Sequence, residues 1–376
     1  MTRRPHRTAH HRPHRPPTPR GTPVTEPLIS VVIAALDAED VLPRQLTALA
    51  GQHEPGPWEL VVADNGSSDG TRELVGRFAA DHPHLSVRLV DASDRRGAGH
   101  ARNTGVRAAR GDLVAFCDAD DLVAPDWLRA VRAGLVDHGF IAGTFSSRAL
   151  NEEWLQRARQ VDQVDGLQRS TAPPHLPHAG AGNLAVRRDL FLAVGGFDPE
   201  CLHLEDTDLC WRIQMCTGEP LAWWPDAVVQ MQLRGSLRGM AAQGYRWGVA
   251  AAWLRARYAG VDDHSGAHRP AGRPQQTAPA AAGGGHPWFF PPRPWDGGAV
   301  GHVLWQLGWR VGHRVHQVVM PLTGRRPAAF RAEDCSGGLD GAAEPGQRPV
   351  QEASSEAASR ASQDAGHRAP ERGEVA

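Results

Sequence analysis

The sequence predicts an α/β protein with a doubly wound, mostly parallel sheet, and three observations carry that expectation. Short apolar runs rich in β-branched residues alternate with segments of helical spacing. A strand, helix, strand order recurs three times within about a hundred residues, which is the pattern of parallel βαβ units. Acids follow three of the strands, at Asp37, Asp64 and Asp118 to Asp121, and open α/β sheets bind ligands beyond the carboxyl ends of their strands.

Residues 1–27 hold Arg, His and Pro with almost nothing apolar, so burial cannot offset the entropy of ordering and a disordered basic tail is expected. LISVVIAAL (28–36), bounded by Pro27 and DAED, reads as a strand buried on both faces. EDVLPRQLTALAGQ then places Val41, Leu42, Leu46 and Leu49 on one helical side. WELVVADN (58–65) is a second strand, and the NGSSDGT after it supplies Ser and Asp suited to capping the helix TRELVGRFAADH. LSVRLVDA is the next strand, RNTGVRAAR a helix and DLVAFCDADD a further strand.

From about residue 140 to 258 the pattern loosens. NEEWLQRARQVD and LCWRIQMC read as helices, PPHLPHAGAGNLAVRRDLF mixes a loop with a strand and a helix start, and GEPLAWWPDAVVQMQL holds a further strand. This part is expected to build the other wall of the crevice and complete a domain over 28–258. Residues 259–298 are Pro/Gly/Ala-rich and read as a linker. Residues 299–323 regain helical spacing through Val300, Leu304, Leu307, Val311, Val315 and Val318, and 324–376 read as a disordered polar tail.

Across 376 residues, 41% are hydrophobic and the net charge is −1, so a sizeable core is available and nothing points to nucleic acid. Every basic residue apart from histidine is Arg. The five cysteines show no CxxC pairing, so neither a disulfide framework nor a zinc site is expected and a reducing cytosol fits. No run of about 18 uninterrupted apolar residues occurs, and no signal-peptide core opens the chain, so a cytoplasmic location is expected.

The densest chemistry lies in FCDADDL (116–122), where Asp118, Asp120 and Asp121 repel one another unless water or a cation intervenes. Two carboxylates at i and i+2 can face one Mg²⁺ or Mn²⁺ and leave positions for substrate phosphates. An EF-hand is disfavoured, because Arg129 stands at the twelfth loop position and no Gly at the sixth. The same acids could instead cap the following helix, APDWLRAVRAGL. Glu205, Asp206 and Asp208 in HLEDTDL likewise suit either general-base chemistry or a helix N-terminus. GAGHARNTG is a weak match to a dinucleotide loop, since Arg102 fills its sixth position.

VVIAALDAED, ADNGSSDGT (63–71), ARNTG (101–105), CDADD (117–121) and VGGFDPECLHLEDTDLCWR (194–212) stand in an order that resembles the inverting family 2 glycosyltransferases of the GT-A fold, of actinobacterial type. The resemblance covers residues 28–258. It implies a nucleotide-sugar donor (UDP-, GDP- or dTDP-linked) bound through Asp37, Glu39, Asp64, Arg102 and Asp118, with Asp64 accepting from the base. It implies a divalent cation on Asp118, Asp120 and Gln230, and Asp206 as the base that takes the acceptor proton, with Glu205 beside it. The acceptor would be a glycan or a lipid-linked sugar in cell-surface glycan synthesis.

The chain departs from the family pattern at Ala34 and Leu36, where Pro and Tyr are usual, at Asp37 for Asn, and at Gln230, where many relatives carry His. A degenerate glycan-binding protein is therefore an alternative reading. A sugar-phosphate nucleotidyltransferase is another, although VVIAALDAED lacks the glycine its triphosphate loop would need. Trp211, Trp223 and Trp224 suit an acceptor platform or the core. With Arg310 and Arg314 among its apolar residues, the 299–322 helix suits a membrane surface, at the inner face of the cell membrane, or packing on the domain.

Overall fold

The computed structural model describes residues 26–53, 56–159, 161–170, 172–261, 297–323 and 327–335. Most of the two expected tails and of the linker lies outside the described residues.

Alternation along the strands builds the molecule. In strand β1 (Ile29–Ala35), Ile29, Val31 and Ile33 enter one apolar cluster while Val32 enters another, and β2 (Trp58–Asp64) divides Leu60 and Val62 from Val61 in the same way. Both faces are therefore core, as a doubly wound sheet requires. One face is covered by helix α1 (Leu42–Ala50), and the register Ala35↔Asp64 brings the ends of β1 and β2 level.

Helix α2 (Thr71–Asp81), strand β3 (Ser86–Asp91), helix α3 (Ala98–Ala108) and strand β4 (Leu113–Cys117) continue the winding. Gly105 of ARNTG is needed there, since a Cβ would meet Val32 Cγ1 at 2.5 Å. Strand β5 (Leu122–Val123), helix α4 (Trp127–Asp137) and strand β6 (Phe140–Ser146) follow, then helix α5 (Glu153–Ala158) and the two short strands β7 (Gln168–Arg169) and β8 (Pro177–His178). Strand β9 (Asn183–Arg187), helices α6 (Arg188–Ala193) and α7 (Glu205–Thr217) and strand β10 (Ala222–Gln230) complete an eight-stranded sheet of order β3-β2-β1-β4-β9-β6-β10-β5. Strands β1 to β4 run parallel, whereas β9 lies antiparallel between β4 and β6. Phe116, Phe191 and Phe197 pack as a trio on the α7 face with centroids 5.5 to 5.6 Å apart.

Two long helices, α8 (Leu237–Arg257) and α9 (Gly297–Thr323), form a hairpin beside the sheet. Glycines make the close approach: a Cβ on Gly244 or Gly248 would collide with the Trp305 or Trp309 carbonyl, and one on Gly308 or Gly312 with that of Ala241 or Tyr245. No helix among the described residues is long and apolar enough to cross a membrane.

Three findings differ from the sequence reading. Strand β6 and helix α8 fall where the pattern loosened, because Gly143 interrupts the apolar run of the first and the second, apart from Met240 and Leu254, buries Gly and Ala. Residues 327–335, expected in the polar tail, pack back instead: Phe330 stacks on Tyr258 at 5.3 Å, and its N–H donates to the Arg257 carbonyl at 2.9 Å. Finally, Cys216 and Cys335 form a disulfide, contrary to the expectation of none. The partners are 119 residues apart and meet only because this returning segment lies against the end of α7, which no spacing rule captures.

Candidate functional site

The carboxylates gather where β4 leaves the sheet. All five residues of LVAFC are buried, and the next residue, Asp118, emerges into a cavity of about 960 Å³. Helix α1 fixes the turn: Gln45 Nε2 donates to the Asp118 carbonyl at 3.1 Å, and Arg44 donates to that of Asp120. Helix α4 has Asp126 at its N-cap, so capping is not the task of Asp118 or Asp120.

Across the cavity, the first turn of α7 divides its three acids. Asp208 is fully buried and structural, accepting from Arg212 Nε and the Tyr258 hydroxyl, each at 2.7 Å. Glu205 and Asp206 face the cavity. Asp206 Oδ2 accepts from the Ala181 N–H at 3.1 Å.

Arg102 joins the two sides. From α3 its buried guanidinium donates to Asp118 Oδ1 at 2.6 Å and to Glu205 Oε1 at 2.9 Å, with its Cζ 5.4 Å from the centroid of the Phe197 ring. Burial alone would lower its pKa, but Asp118 and Glu205 outweigh burial and raise it. The segment Gly180–Gly182 forms the ridge between the two acid groups. A Cβ on Gly182 would stand 2.7 Å from Asp118 Oδ2, so a side chain there would push against the carboxylate that Arg102 holds.

Burial and the neighbouring Asp118 push the Asp120 carboxyl above its usual range, and the same two causes push Asp121 well above it. Asp121 accepts from the Gln232 N–H at 2.8 Å. Excess negative charge of this kind fits a divalent cation, and Asp118 and Asp120 offer the hard oxygens that Mg²⁺ and Mn²⁺ favour. Among the described residues no group of three or more His, Cys, Asp or Glu side chains could hold a metal. Two carboxylates would leave coordination positions to substrate oxygens.

Burial also pushes Glu205 up to about 7, with Asp206 adding to it and Arg102 opposing it, and burial raises Asp206 as well. A linkage prediction follows for Glu205. The folded chain holds this proton to a higher pH than an unfolded chain at 4.5, so the stability it confers is present below 4.5 and lost as pH rises through about 7. Glu205→Gln is therefore expected to gain on wild type by about 2 kcal/mol between pH 5 and pH 8. Urea unfolding at the two pH values measures it, and parallel curves would disprove it.

The remaining expected residues sit elsewhere. Asp64 is fully buried at the end of β2, where it accepts from Arg72 Nη1 at 2.8 Å and the Ser67 N–H at 3.2 Å. Just ahead of helix α2 it is Asp69, not Asp64, that accepts from the Thr71 N–H, at 3.0 Å. Asp37 accepts from the Ser68 N–H at 2.7 Å and Glu39 from the Gly70 N–H at 2.8 Å, so both fasten the loop after β1 to the NGSSDGT loop. Gln230 does not line the cavity: its Oε1 accepts from the Ala149 N–H at 3.3 Å. From that strand end Gln232 and Arg234 reach the cavity instead, two residues the sequence reading passed over. It passed over Gly182 too, although GAG directly before an apolar run was a visible signal. Trp211 is core, with its Nε1 donating to the Leu176 carbonyl at 3.1 Å, and one edge on the cavity.

The family model for glycosyl transferase family 2 matches residues 30–195. A PGL/p-HBAD biosynthesis glycosyltransferase of Mycobacterium bovis is 35% identical over 199 residues, which are 52% of this chain and 71% of that protein. A pre-mycofactocin glycosyltransferase of Mycobacterium tuberculosis is 27% identical over 87% of this chain, and the match spans 61% of that relative's length. Among solved structures, the mannosyltransferase PcManGT of Pyrobaculum calidifontis, in complex with GDP-Man and Mn²⁺, aligns at 22% identity over 80% of this chain and 77% of its own, with a TM-score of 0.46. S. aureus TarS aligns at 18% identity over 61% of this chain and 64% of its own, with a TM-score of 0.45. The chain belongs to glycosyl transferase family 2.

Proposed function

We propose that the chain transfers a sugar, with inversion, from a nucleoside-diphosphate sugar to an acceptor hydroxyl in the making of a cell-surface glycan. The observation that carries this reading is the Arg102 fork, which ties Asp118 and Glu205 together at 2.6 and 2.9 Å and so sets a donor-side and an acceptor-side acid on one cavity. The glycosyltransferase activity in the name of the 35% identical relative supports it.

Asp206 takes the proton of the acceptor hydroxyl as that oxygen bonds to the anomeric carbon from the face opposite the diphosphate. The bond from that carbon to the diphosphate oxygen breaks, and the diphosphate leaves with the electron pair. Glu205 and Arg102 orient Asp118, and Asp118 with Asp120 would hold a divalent cation. When bound, such a cation supplies charge neutralisation for the departing diphosphate. Arg44 and Gln45 keep the Asp118–Asp120 backbone in place.

A thermal-shift titration of the full chain tests this reading, using UDP, GDP, dTDP and CDP with and without Mn²⁺. One nucleotide is expected to stabilise the fold by about 2–3 kcal/mol at a hundredfold excess over its Kd, only with Mn²⁺, and Asp120→Ala is expected to abolish the effect. The placement of Gln230 away from the carboxylates favours a second reading, a glycan-binding protein without catalysis. Stabilisation by glycans and by no nucleotide would select it.

A further inference from the structure

The hairpin of α8 and α9 turns two unlike faces to its surroundings. Inward, Trp247, Trp305, Trp309 and His313 line the same cavity as Asp206. Outward, α9 exposes Val303, Leu307, Val311, Val315, Val318 and Leu322, from 39% to 80% of each. Their spacing of three or four residues sets them on one helical side, running about 28 Å along the axis. An apolar stripe of that length on a protein surface marks a contact with something apolar.

Charge identifies the occupant. Neither helix carries an Asp or a Glu, while Arg238, Arg246, Arg255, Arg310 and Arg314 are all exposed. By the helical repeat Arg314 lies within the stripe toward one edge, and Arg310 lies just outside that edge. A second copy seated on this stripe would set these arginines against their own equivalents, with no acid from either helix to answer them. A lipid surface meets both requirements: acyl chains accept the apolar side chains, and arginines reach outward to phosphate on aliphatic stems. The helix lies along such a surface, since it is not apolar enough to cross one.

We propose that α9 is a membrane seat, with its outward stripe in the interface of an anionic bilayer and Arg310 and Arg314 on lipid phosphates. The inference does not depend on the transfer reading. It does put the Trp-lined end of the cavity one helix diameter, about 10 Å, from the lipid.

Flotation of the full chain with vesicles tests it. The chain is expected to bind vesicles of phosphatidylcholine with 30% phosphatidylglycerol at least tenfold more tightly than vesicles of phosphatidylcholine alone, and high salt should weaken this binding. Leu307→Glu combined with Val318→Glu should lose at least nine-tenths of the bound fraction, and Arg310→Glu combined with Arg314→Glu should remove the preference for anionic lipid. Far-UV circular dichroism and the melting midpoint, unchanged in both variants, show that the fold survives. No vesicle binding by wild type overturns the proposal, as does equal binding by the Leu307/Val318 variant. A wild-type dimer in solution that this variant dissociates also overturns it, since a second copy would then own the stripe. Nucleotide stabilisation is read separately, so failure here leaves the transfer reading standing.

Discussion

Replacing Asp206 by asparagine is expected to lower the turnover of sugar transfer by about 10²–10⁴-fold, the usual contribution of a positioned general base. Donor binding should stay within about twofold of wild type, because a group that acts only on the acceptor proton adds nothing to the ground-state hold on the nucleotide. Asparagine keeps an oxygen that can accept from the Ala181 N–H, so the ridge at Gly180–Gly182 should survive the exchange. The pH profile adds an independent check. Burial raises the Asp206 pKa, so the acid limb of kcat/KM in wild type should lie above the range of an exposed aspartate, with activity lost as pH falls through it. In the asparagine variant that limb should vanish. Steady-state rates with the nucleotide identified by thermal shift would measure both effects. A variant with wild-type turnover would remove Asp206 from the mechanism and turn attention to Glu205, whose carboxyl also faces the cavity.

The parallel half of the molecule was legible because its strands are buried on both faces and so appear as unbroken apolar runs: LISVVIAAL and WELVVADN became β1 and β2 with no boundary displaced by more than one residue. The second half was harder. Strand β6 carries a glycine that faces the Ala227 carbonyl and the Asn183 side chain, and helix α8 shows small residues where periodicity looks for large ones. At the site, the sequence could name Asp118, Asp120, Glu205 and Asp206, because acids at strand ends and helix starts are visible in one dimension. It could not show that one guanidinium would span a gap of 103 residues to join Arg102 with Glu205. Nor could it turn a side chain. Gln230 has the right position in its motif, yet its amide meets Ala149, and a residue two places further along reaches the cavity.

Arg102→Met is expected to cost about 3–5 kcal/mol of stability, because it deletes a buried charge and leaves both of its carboxylates without their partner. The Arg102 side chain is 6% exposed and that of Glu205 13%, so the Glu205 half of the bridge has little water to replace it. Asp118 is 37% exposed, so solvent screens part of its loss and favours the lower end of that range. Methionine preserves most of the aliphatic volume over Phe197, which confines the effect to charge and hydrogen bonding. Lysine should fall between the two. It restores the positive charge, but a single ammonium cannot reproduce a planar fork with one arm to Asp118 and the other to Glu205. The decisive measurement is a double-mutant cycle by urea unfolding. If the cost arises from an orphaned Glu205, then Arg102→Met on a Glu205→Gln background should cost at least 1 kcal/mol less than on wild type, a coupling of the size seen for groups in one network. Additive losses, or an Arg102→Met variant as stable as wild type, would show that the bridge does not hold the two sides of the cavity together.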